Sequence, residues 1–261
     1  MRRFYLESVQ VPQAGDVVVL DKDESHHLLH VLRGEEGRGV EITDGVGHLL
    51  AGVLVGREGK AARVEITGVT RAEDEAAAPR LVVACAVVKG KRFEFMVEKA
   101  VELGAHVIVP LKCDRGVIDP RDGKLDRWRG VLVGALKQSD RCWLPELAPL
   151  STPEAVVATA EGPCFFGAVP VGGERSLSVT TAAARAVRRR EAGETLPASL
   201  TLLIGPEGDW STTELASLRQ SATALDLGPH VLRTETAALA GLVALQEIRR
   251  AWRLDPSATQ A

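Results

Sequence analysis

Two segments near the C-terminus constrain the fold more than anything else in the sequence. Each is an apolar run that stops at a glycine turn: residues 200–204 stop at Gly205, and residues 225–227 stop at Gly228. The run at 200–204 is continuous, which indicates a strand that is buried on both faces of a parallel sheet. Because the carboxyl ends of parallel strands lie at one edge of the sheet, the two turns predict a ligand-binding crevice there.

Each of these turns also leads into a helix. The residues Ser-Thr-Thr-Glu at 211–214 have the spacing of a capping box, in which Ser211 and Glu214 cap the first turn reciprocally. After the second turn, Thr234 is predicted as the N-cap, with Glu235 in the first turn, where the helix dipole favours a negative charge. The C-terminal region is therefore predicted to contain two strand–turn–helix segments.

The preceding part of the chain alternates strands and helices in the same way. This alternation predicts an α/β fold with a parallel sheet. Runs typical of buried strands lie at 81–88, 106–110 and 164–169. Helical patterns lie at 92–104, 123–139, 153–160, 182–190 and 235–252.

The N-terminal part shows a different pattern. Short β-prone runs at 17–20, 40–42, 49–55 and 64–66 are separated by glycines and charges, and one helical stretch lies at 24–32. Such a pattern predicts a small barrel or closed sheet. An acidic, alanine-rich tract that ends in proline then indicates a linker. We therefore divide the chain into a β domain at 1–72, a linker at 73–79, an α/β domain at 80–255 and a flexible tail at 256–261.

Composition and charge limit the class of protein, its cellular location and its possible ligands. The 261 residues are 45% hydrophobic and 26% charged, as in globular proteins. No apolar run reaches the length of a membrane span, and the N-terminus lacks the apolar core of a signal peptide, so we expect a cytoplasmic location. The net charge of −3 argues against a nucleic-acid-binding protein that is basic overall. Residues 80–141 nevertheless carry thirteen Lys and Arg against eight Asp and Glu, which is compatible either with a local basic face for nucleic-acid phosphates or with a mixed solvated surface.

The potential metal ligands do not form a recognisable site. His26 and His30 are four residues apart and share a face if the segment is helical, but no carboxylate or cysteine follows at a companion spacing. We therefore predict no metal, and a surface helix with one or two nucleic-acid contacts. Buried free thiols, rather than a zinc site or disulfides, are predicted for the scattered cysteines, Cys85, Cys113, Cys142 and Cys164.

The two glycine turns also carry a family resemblance. The residues Leu-Ile-Gly-Pro-Glu-Gly at 203–208 and Leu-Gly-Pro-His-Val-Leu-Arg-Thr-Glu-Thr-Ala at 227–237 resemble the C-terminal signatures of the knotted SPOUT methyltransferases. They most closely resemble the RsmE family, which methylates N3 of a uridine in 16S ribosomal RNA. Residues 89–94, 98–104 and Pro110 are similar to an earlier motif of that family. Residues 3–5 and 26–33 resemble its N-terminal PUA-like RNA-binding barrel.

The resemblance implies a cofactor, a topology and an assembly. The cofactor is S-adenosyl-L-methionine, the C-terminal strands are threaded as a trefoil knot, and the protein is a homodimer that acts on the 16S rRNA of the small ribosomal subunit. The residues that the resemblance places around the cofactor are Leu203, Ile204, Gly205, Pro206, Gly208, Leu227, Gly228, Val231 and Leu232. The leucines and Val231 can serve as core residues at the same time.

The chemistry requires a base, because N3 of uracil carries an imide proton that must leave. Glu207 and Glu235 are the carboxylates nearest the inferred crevice, and Arg233 is a candidate for holding the target phosphate or the uracil oxygens. These three residues are predicted to be catalytic; Arg233 and Glu235 are expected to be needed, and the general base is left unassigned. A loop anchor and a helix-dipole partner are the alternative roles of the two carboxylates. RNA phosphate contacts are predicted for a set of Arg and Lys side chains, because guanidinium forks and local positive charge suit phosphate: Arg2, Arg3, Arg33, Lys89, Lys91 and Arg92.

The chain departs from the family pattern at Lys137, Asp209 and His230, where the family usually has Glu, often has Gly, and often has Arg or Lys. Four other functions differ in how well they fit the sequence motifs. A ribose 2′-O-methyltransferase and a non-catalytic ribosome-binding factor with the same fold are both compatible with the turns. A nicotinamide oxidoreductase and a P-loop protein fit poorly, because neither the G-x-G-x-x-G motif nor the Lys-Ser/Thr of a P-loop is present.

Overall fold

The structure is a computed structural model that describes residues 3–72, 79–116, 123–168 and 176–254. The chain divides into two compact units, Met1–Glu75 with Val133–Leu144, and Ala76–Leu132 with Pro145–Ala261. The first unit therefore includes a segment from the middle of the chain that the sequence patterns did not assign to it. Arg2, most of the predicted linker at 73–79 and the predicted tail at 256–261 lie outside the described residues.

The first unit is built on a five-stranded sheet with the order β1-β3-β4-β5-β2. Strands β1 and β3 are parallel, and the other neighbours are antiparallel. The long β4–β5 hairpin has register shifts at Ala51/Gly52 and Leu54/Gly56, and such bulges bend a strand. The recorded pairing ends at β1 and β2, so among the described residues it does not close into a ring. The strands are β1 Arg3–Tyr5, β2 Val17–Val19, β3 Gly39–Thr43, β4 His48–Glu58 and β5 Ala61–Arg71.

A short helical segment covers one part of this sheet. The helix predicted at 24–32 is observed as α1, Lys22–His26, followed by a π-helix, His27–Val31. The Asp21 side chain caps α1 by accepting a hydrogen bond from the Glu24 N–H at 2.8 Å. Leu28 and Leu29 of the π-helix are buried in the apolar core of the unit, which the inward-facing residues of the strands complete.

The returning segment Val133–Leu144 is bound to the sheet by backbone and side-chain contacts. The Leu144 N–H donates to the Gly45 carbonyl at 2.8 Å, and the Gly47 N–H donates to the Cys142 carbonyl at 2.9 Å. Lys137, one of the departures from the family pattern, forms an ion pair with the buried carboxylate of Glu24. Burial raises the pKa of Glu24, and the hydrogen bond and charge of Lys137 oppose that shift.

The second unit contains the predicted parallel sheet. Its six strands have the order β11-β9-β10-β6-β7-β8, and all recorded pairs are parallel. Every residue of β10 is buried, which confirms the strand predicted at 200–204. The strands are β6 Arg80–Ala86, β7 Val107–Leu111, β8 Glu146–Leu147, β9 Cys164–Ala168, β10 Ser199–Ile204 and β11 Thr223–Asp226.

All five helices predicted after residue 90 are present, together with the one that follows the first glycine turn. They are α2 Arg92–Glu102, α3 Lys124–Gln138, α4 Pro153–Ala158, α5 Val179–Glu191, α6 Thr212–Ser221 and α7 Thr234–Arg253. The helix α7 packs closely on β10, because a Cβ on Gly241 would lie 2.5 Å from Cδ2 of Leu202. No described helix combines the length and apolar character that a membrane span needs.

The two predicted helix starts had different outcomes. The capping box of α6 is confirmed: Ser211 Oγ accepts from the Glu214 N–H at 3.1 Å, and Glu214 Oε2 accepts from the Ser211 N–H at 2.8 Å. The prediction of Thr234 as the N-cap of α7 was wrong, because Arg233 occupies that position. The Thr234 hydroxyl instead donates to the Gly205 carbonyl at 3.2 Å, so a tertiary contact uses the group that would have capped the helix. All four cysteines are buried free thiols, as predicted.

Candidate active site

A cavity of about 330 Å³ lies at the carboxyl ends of β9, β10 and β11. This is the edge of the sheet where the two glycine turns were predicted to form a crevice. Its walls are mainly apolar side chains and the backbone of the turns. The lining residues are Phe166, Gly167, Ile204, Gly205, Pro206, Glu207, Asp209, Trp210, Leu215, Leu227, Gly228, His230, Val231, Leu232, Thr234 and Ala237.

Three glycines keep this cavity open. A Cβ on Gly205 would lie 2.9 Å from Cε2 of Trp210, and a Cβ on Gly167 would lie 2.7 Å from Cδ1 of Ile204. Gly228 has φ +115°, a conformation that side chains other than glycine rarely adopt. The crowding at 205 and 167 shows that the backbone lies closely against an indole ring and aliphatic side chains here. A ligand can therefore be held by main-chain groups between apolar walls.

A second loop fixes the first glycine turn from outside. The Asp114 Oδ2 accepts a hydrogen bond from Ser211 Oγ at 2.6 Å, and the Asp114 N–H donates to Glu214 Oε1 at 2.9 Å. Arg115 Nη1 donates to the Gly208 carbonyl at 3.1 Å. Glu214 is only 3% exposed, so its hydrogen bonds are formed largely away from water. The loop after β7 thus holds the residues between β10 and α6.

The structure brings most of the predicted cofactor residues together. Seven of the nine line the cavity: Ile204, Gly205, Pro206, Leu227, Gly228, Val231 and Leu232. Leu203 does not, because it is fully buried in the core of the unit with Phe166 and Trp210. Gly208 does not line it either, and its carbonyl accepts the bond from Arg115.

Sequence reasoning missed the part of the cavity that comes from β9. Phe166 and Gly167 lie in this strand, which pairs with both β10 and β11 and so stands between the two glycine turns. Nothing in the sequence near residue 166 marks this position, because it follows from the strand order. Trp210 and Thr234 lay next to the predicted residues and were identifiable only by their tertiary contacts with Gly205.

The three predicted catalytic residues occupy different environments. Glu207 lines the cavity and forms an ion pair with Arg92, at the start of α2. Arg233 is exposed at the N-cap of α7. Glu235 is 7% exposed in the first turn of α7, and its Oε2 atom has no hydrogen-bond partner among the described residues. Burial raises the pKa of the Cys85 thiol, and the charges of Cys113 and Glu235 raise it further.

The predicted RNA-binding side chains also differ in availability. Arg3 has a side chain only 8% exposed, and its guanidinium donates to the Arg141 carbonyl at 3.3 Å and lies 3.8 Å from Asp140, which argues against a phosphate contact. Arg33 is exposed and has φ +50°. Lys89 and Lys91 are exposed on either side of Gly90, in the turn between β6 and α2. The guanidinium of Arg92 already forms an ion pair with Glu207.

Comparison with known proteins matches each part of the chain to a domain family. The model of the RNA methyltransferase domain matches residues 75–246, and the model of the RNA methyltransferase PUA domain matches residues 20–67. The ribosomal RNA small subunit methyltransferase E of Mycobacterium tuberculosis is 35% identical over 95% of this chain and 92% of its own length. The chain belongs to this methyltransferase family. The relative of the same name from Synechocystis is 30% identical over 88% of the chain and 74% of its own length.

Solved structures agree with the family assignment. A methyltransferase E from Neisseria gonorrhoeae bound to S-adenosyl methionine has a TM-score of 0.77 and 25% identity, and covers 94% of this chain and 97% of its own. The Legionella pneumophila protein solved with the bound cofactor SAM has a TM-score of 0.79 and 28% identity, and covers 94% and 96%. The family, the RNA methyltransferase class and the SAM cofactor predicted from the sequence are therefore confirmed, as are the parallel α/β sheet and the PUA-like domain.

Proposed function

We propose that this protein transfers a methyl group from S-adenosyl-L-methionine to N3 of a uridine in 16S rRNA of the small ribosomal subunit. The observation that carries this proposal is the cavity at the ends of β9, β10 and β11, where two glycine turns meet. Relatives named ribosomal RNA small subunit methyltransferase E cover almost the whole chain, which supports a ribosomal RNA substrate. The resemblance of the C-terminal motifs to the RsmE family supports uracil N3 as the acceptor.

The residues of the cavity fit the methyl donor. An adenine ring needs apolar walls, and Ile204, Leu227 and Leu232 supply them. Its polar edge needs hydrogen-bonding groups, and the backbone of the turns at Gly205 and Gly228 can provide these without side chains. S-adenosylmethionine, when bound, supplies an activated methyl group. The protein then contributes mainly the alignment of donor and acceptor, which is worth up to roughly 7–11 kcal/mol in favourable cases.

The acceptor proton requires a group that can take it. Among the three predicted catalytic residues, Glu207 is the one that lines the cavity, and Arg92 holds its carboxylate in place. We propose Glu207 as the candidate proton acceptor. Arg233, exposed at the N-terminus of α7, is suited to a phosphate or to the uracil oxygens. Glu235, buried in the first turn of the same helix, is proposed to position that turn.

Three further features belong to the same proposal. The trefoil threading of the C-terminal strands is supported by the family resemblance and by the contact of Thr234 with Gly205. A homodimer is supported by the resemblance and by two exposed apolar side chains on the packed helices α2 and α7, Phe95 at 47% and Val243 at 44% exposure. The domain limits of 1–72 and 80–255 follow from the sequence patterns, with residues 133–144 joining the first compact unit. A cytoplasmic location follows from the ribosomal substrate.

The test is methyl transfer to small ribosomal subunits from a strain that lacks the gene. The subunits are incubated with the protein and isotope-labelled S-adenosylmethionine, and the rRNA is digested to nucleosides for mass spectrometry. We expect labelled 3-methyluridine. Labelled 2′-O-methyl nucleosides would instead identify a ribose methyltransferase, and no label in any nucleoside would overturn the proposal. Light scattering of the same preparation at micromolar concentration tests the homodimer, against which a monomer would count.

The roles of the three side chains are tested separately. Glu207→Gln and Arg233→Ala are expected to lower kcat by about 10²-fold, the scale of a lost general base or a lost charged contact. Glu235→Gln keeps the shape of the side chain, so a positioning role predicts a smaller loss of activity. Wild-type turnover in both Glu207→Gln and Arg233→Ala would remove these two assignments.

A further inference from the structure

The first unit contains a second cavity, which the methyl-transfer site does not use. It lies between the segment formed by α1 and the π-helix and the tip of the β4–β5 hairpin, and its volume is about 870 Å³. We call it the hairpin cleft. The side chains used below come from both walls: Lys22, Asp23, His26, Leu29 and His30 from the helical segment, and Arg57, Glu58 and Lys60 from the hairpin.

Two imidazole rings form an aromatic surface in this cleft. The ring centroids of His26 and His30 are 5.1 Å apart, with 33° between the ring planes, and both residues are exposed. His30 lies in the π-helix, a rare turn that is frequent at functional sites. Leu29, from the same turn, adds an apolar contact to the wall. Flat aromatic surfaces of this kind are what unpaired nucleobases stack on.

Positive charge surrounds the aromatic surface. Lys22, Arg57 and Lys60 are exposed, and none of them forms an ion pair with a residue in the described part of the chain. Three exposed cations at the rim of an aromatic cleft suit a phosphate group attached to a stacked base. Each wall also includes a carboxylate, Asp23 on the helical segment and Glu58 on the hairpin. Carboxylates accept hydrogen bonds from exocyclic amino groups, as on cytosine, and they repel the carbonyl edge of uracil.

The two walls are fixed relative to each other. Ser25 Oγ donates to the Leu20 carbonyl at 2.9 Å and accepts from the Ala62 N–H at 2.9 Å. This fully buried hydroxyl ties α1 to the beginning of β5, directly beside the hairpin tip. The cleft is therefore formed before any ligand binds, so that little ordering entropy opposes binding.

We propose that the hairpin cleft binds one unpaired nucleotide of the RNA substrate. The base stacks on His26 and His30, and its phosphate is held by Lys22, Arg57 and Lys60. Because of Asp23 and Glu58, a base with an exocyclic amino group is preferred to uracil. This inference rests on the proposed function for the identity of the ligand as RNA, and it concerns a nucleotide other than the methylated uridine.

The test measures the binding of fluorescein-labelled single-stranded RNA to the full chain by anisotropy at one fixed salt concentration. The double variant His26→Ala/His30→Ala is expected to bind a cytidine-rich or adenosine-rich oligonucleotide about tenfold more weakly, as for the loss of one stacked base. His26→Phe/His30→Phe keeps flat rings and is expected to bind within about threefold of wild type. Lys60→Ala is compared with Arg63→Ala, an exposed cation of β5 that does not line the cleft, and should weaken binding more.

The outcomes separate this inference from the proposed function. RNA binding is measured without methyl transfer, so a protein that fails to methylate rRNA still tests the cleft. In an active protein, the alanine variant should raise the KM for RNA while kcat and the affinity for S-adenosylmethionine stay unchanged. Equal RNA binding by the folded alanine variant and wild type would overturn the inference. Equally weak binding by the alanine and phenylalanine variants, or a preference for uridine oligonucleotides, would contradict base stacking or the role of the carboxylates.

Discussion

The ion pair between Lys137 and Glu24 gives a prediction that depends on the tertiary structure. The Glu24 side chain is 6% exposed and that of Lys137 is 26% exposed. Lys137 is the cation bound to one carboxylate oxygen, while the other, Oε2, has no partner among the described residues. Lys137→Met keeps the length of the side chain but leaves a buried carboxylate without its cation. Breaking a buried pair in this way costs about 3–5 kcal/mol, and we expect about 3 kcal/mol because Lys137 is partly exposed.

The effect should depend on pH, and its sign follows from the direction of the pKa shift. Burial raises the pKa of Glu24 in the folded state, so folding favours the protonated acid. Without Lys137 that pKa rises further. The protonated side chain then contributes stability that is complete below pH 4.5 and is lost as pH rises through the folded-state pKa. The destabilisation of Lys137→Met should therefore be small near pH 5 and complete at pH 8.

Urea unfolding at the two pH values measures this effect. With a slope of about 1–3 kcal/mol per molar urea, a loss of 3 kcal/mol lowers the midpoint by about 1 M or more at pH 8. Lys124→Met is the matched control, since it makes the same change in α3 outside the first unit. The double variant Glu24→Gln/Lys137→Met should recover much of the loss. If Lys137→Met is no less stable than Lys124→Met, or if its loss is the same at pH 5 and pH 8, the reasoning is refuted.

Two glycine substitutions test the packing of the second unit. Gly205→Ala places a Cβ 2.9 Å from the Trp210 ring in the cavity wall. We therefore expect S-adenosylmethionine to bind about tenfold more weakly, as measured by calorimetry. Unchanged affinity would contradict this, because it would show that the ring shifts freely. Gly241→Ala places a Cβ 2.5 Å from Leu202, and the overpacking should outweigh the gain in helix propensity and destabilise by about 1–2 kcal/mol. Gly130→Ala in α3 is the control: its Cβ meets no atom within 4 Å, so it should stabilise the protein by up to about 1 kcal/mol. Thermal unfolding in which Gly241→Ala is more stable than Gly130→Ala would contradict this account.

The predictions that held were those with local causes. The apolar run at 200–204 predicted β10, because a strand covered on both faces needs mainly apolar side chains, and all six residues of the observed strand are buried. The capping box of α6 was readable because its two hydrogen bonds join residues three apart. The N-cap prediction for Thr234 was wrong because it assumed a local hydrogen bond. The Thr234 hydroxyl instead donates to the carbonyl of Gly205, 29 residues earlier.

The sequence by itself determined the kinds of elements, their order, the two glycine turns and the family to which they belong. These properties follow from side-chain periodicity, helix caps and glycine conformations, all of which act within a few residues. The tertiary structure alone decided that β9 stands between the two turns, that Phe166 and Gly167 complete the cavity, and that residues 133–144 join the first unit. Neighbouring strands of a parallel sheet are separated along the chain by whole helices, so no local pattern records which of them become neighbours.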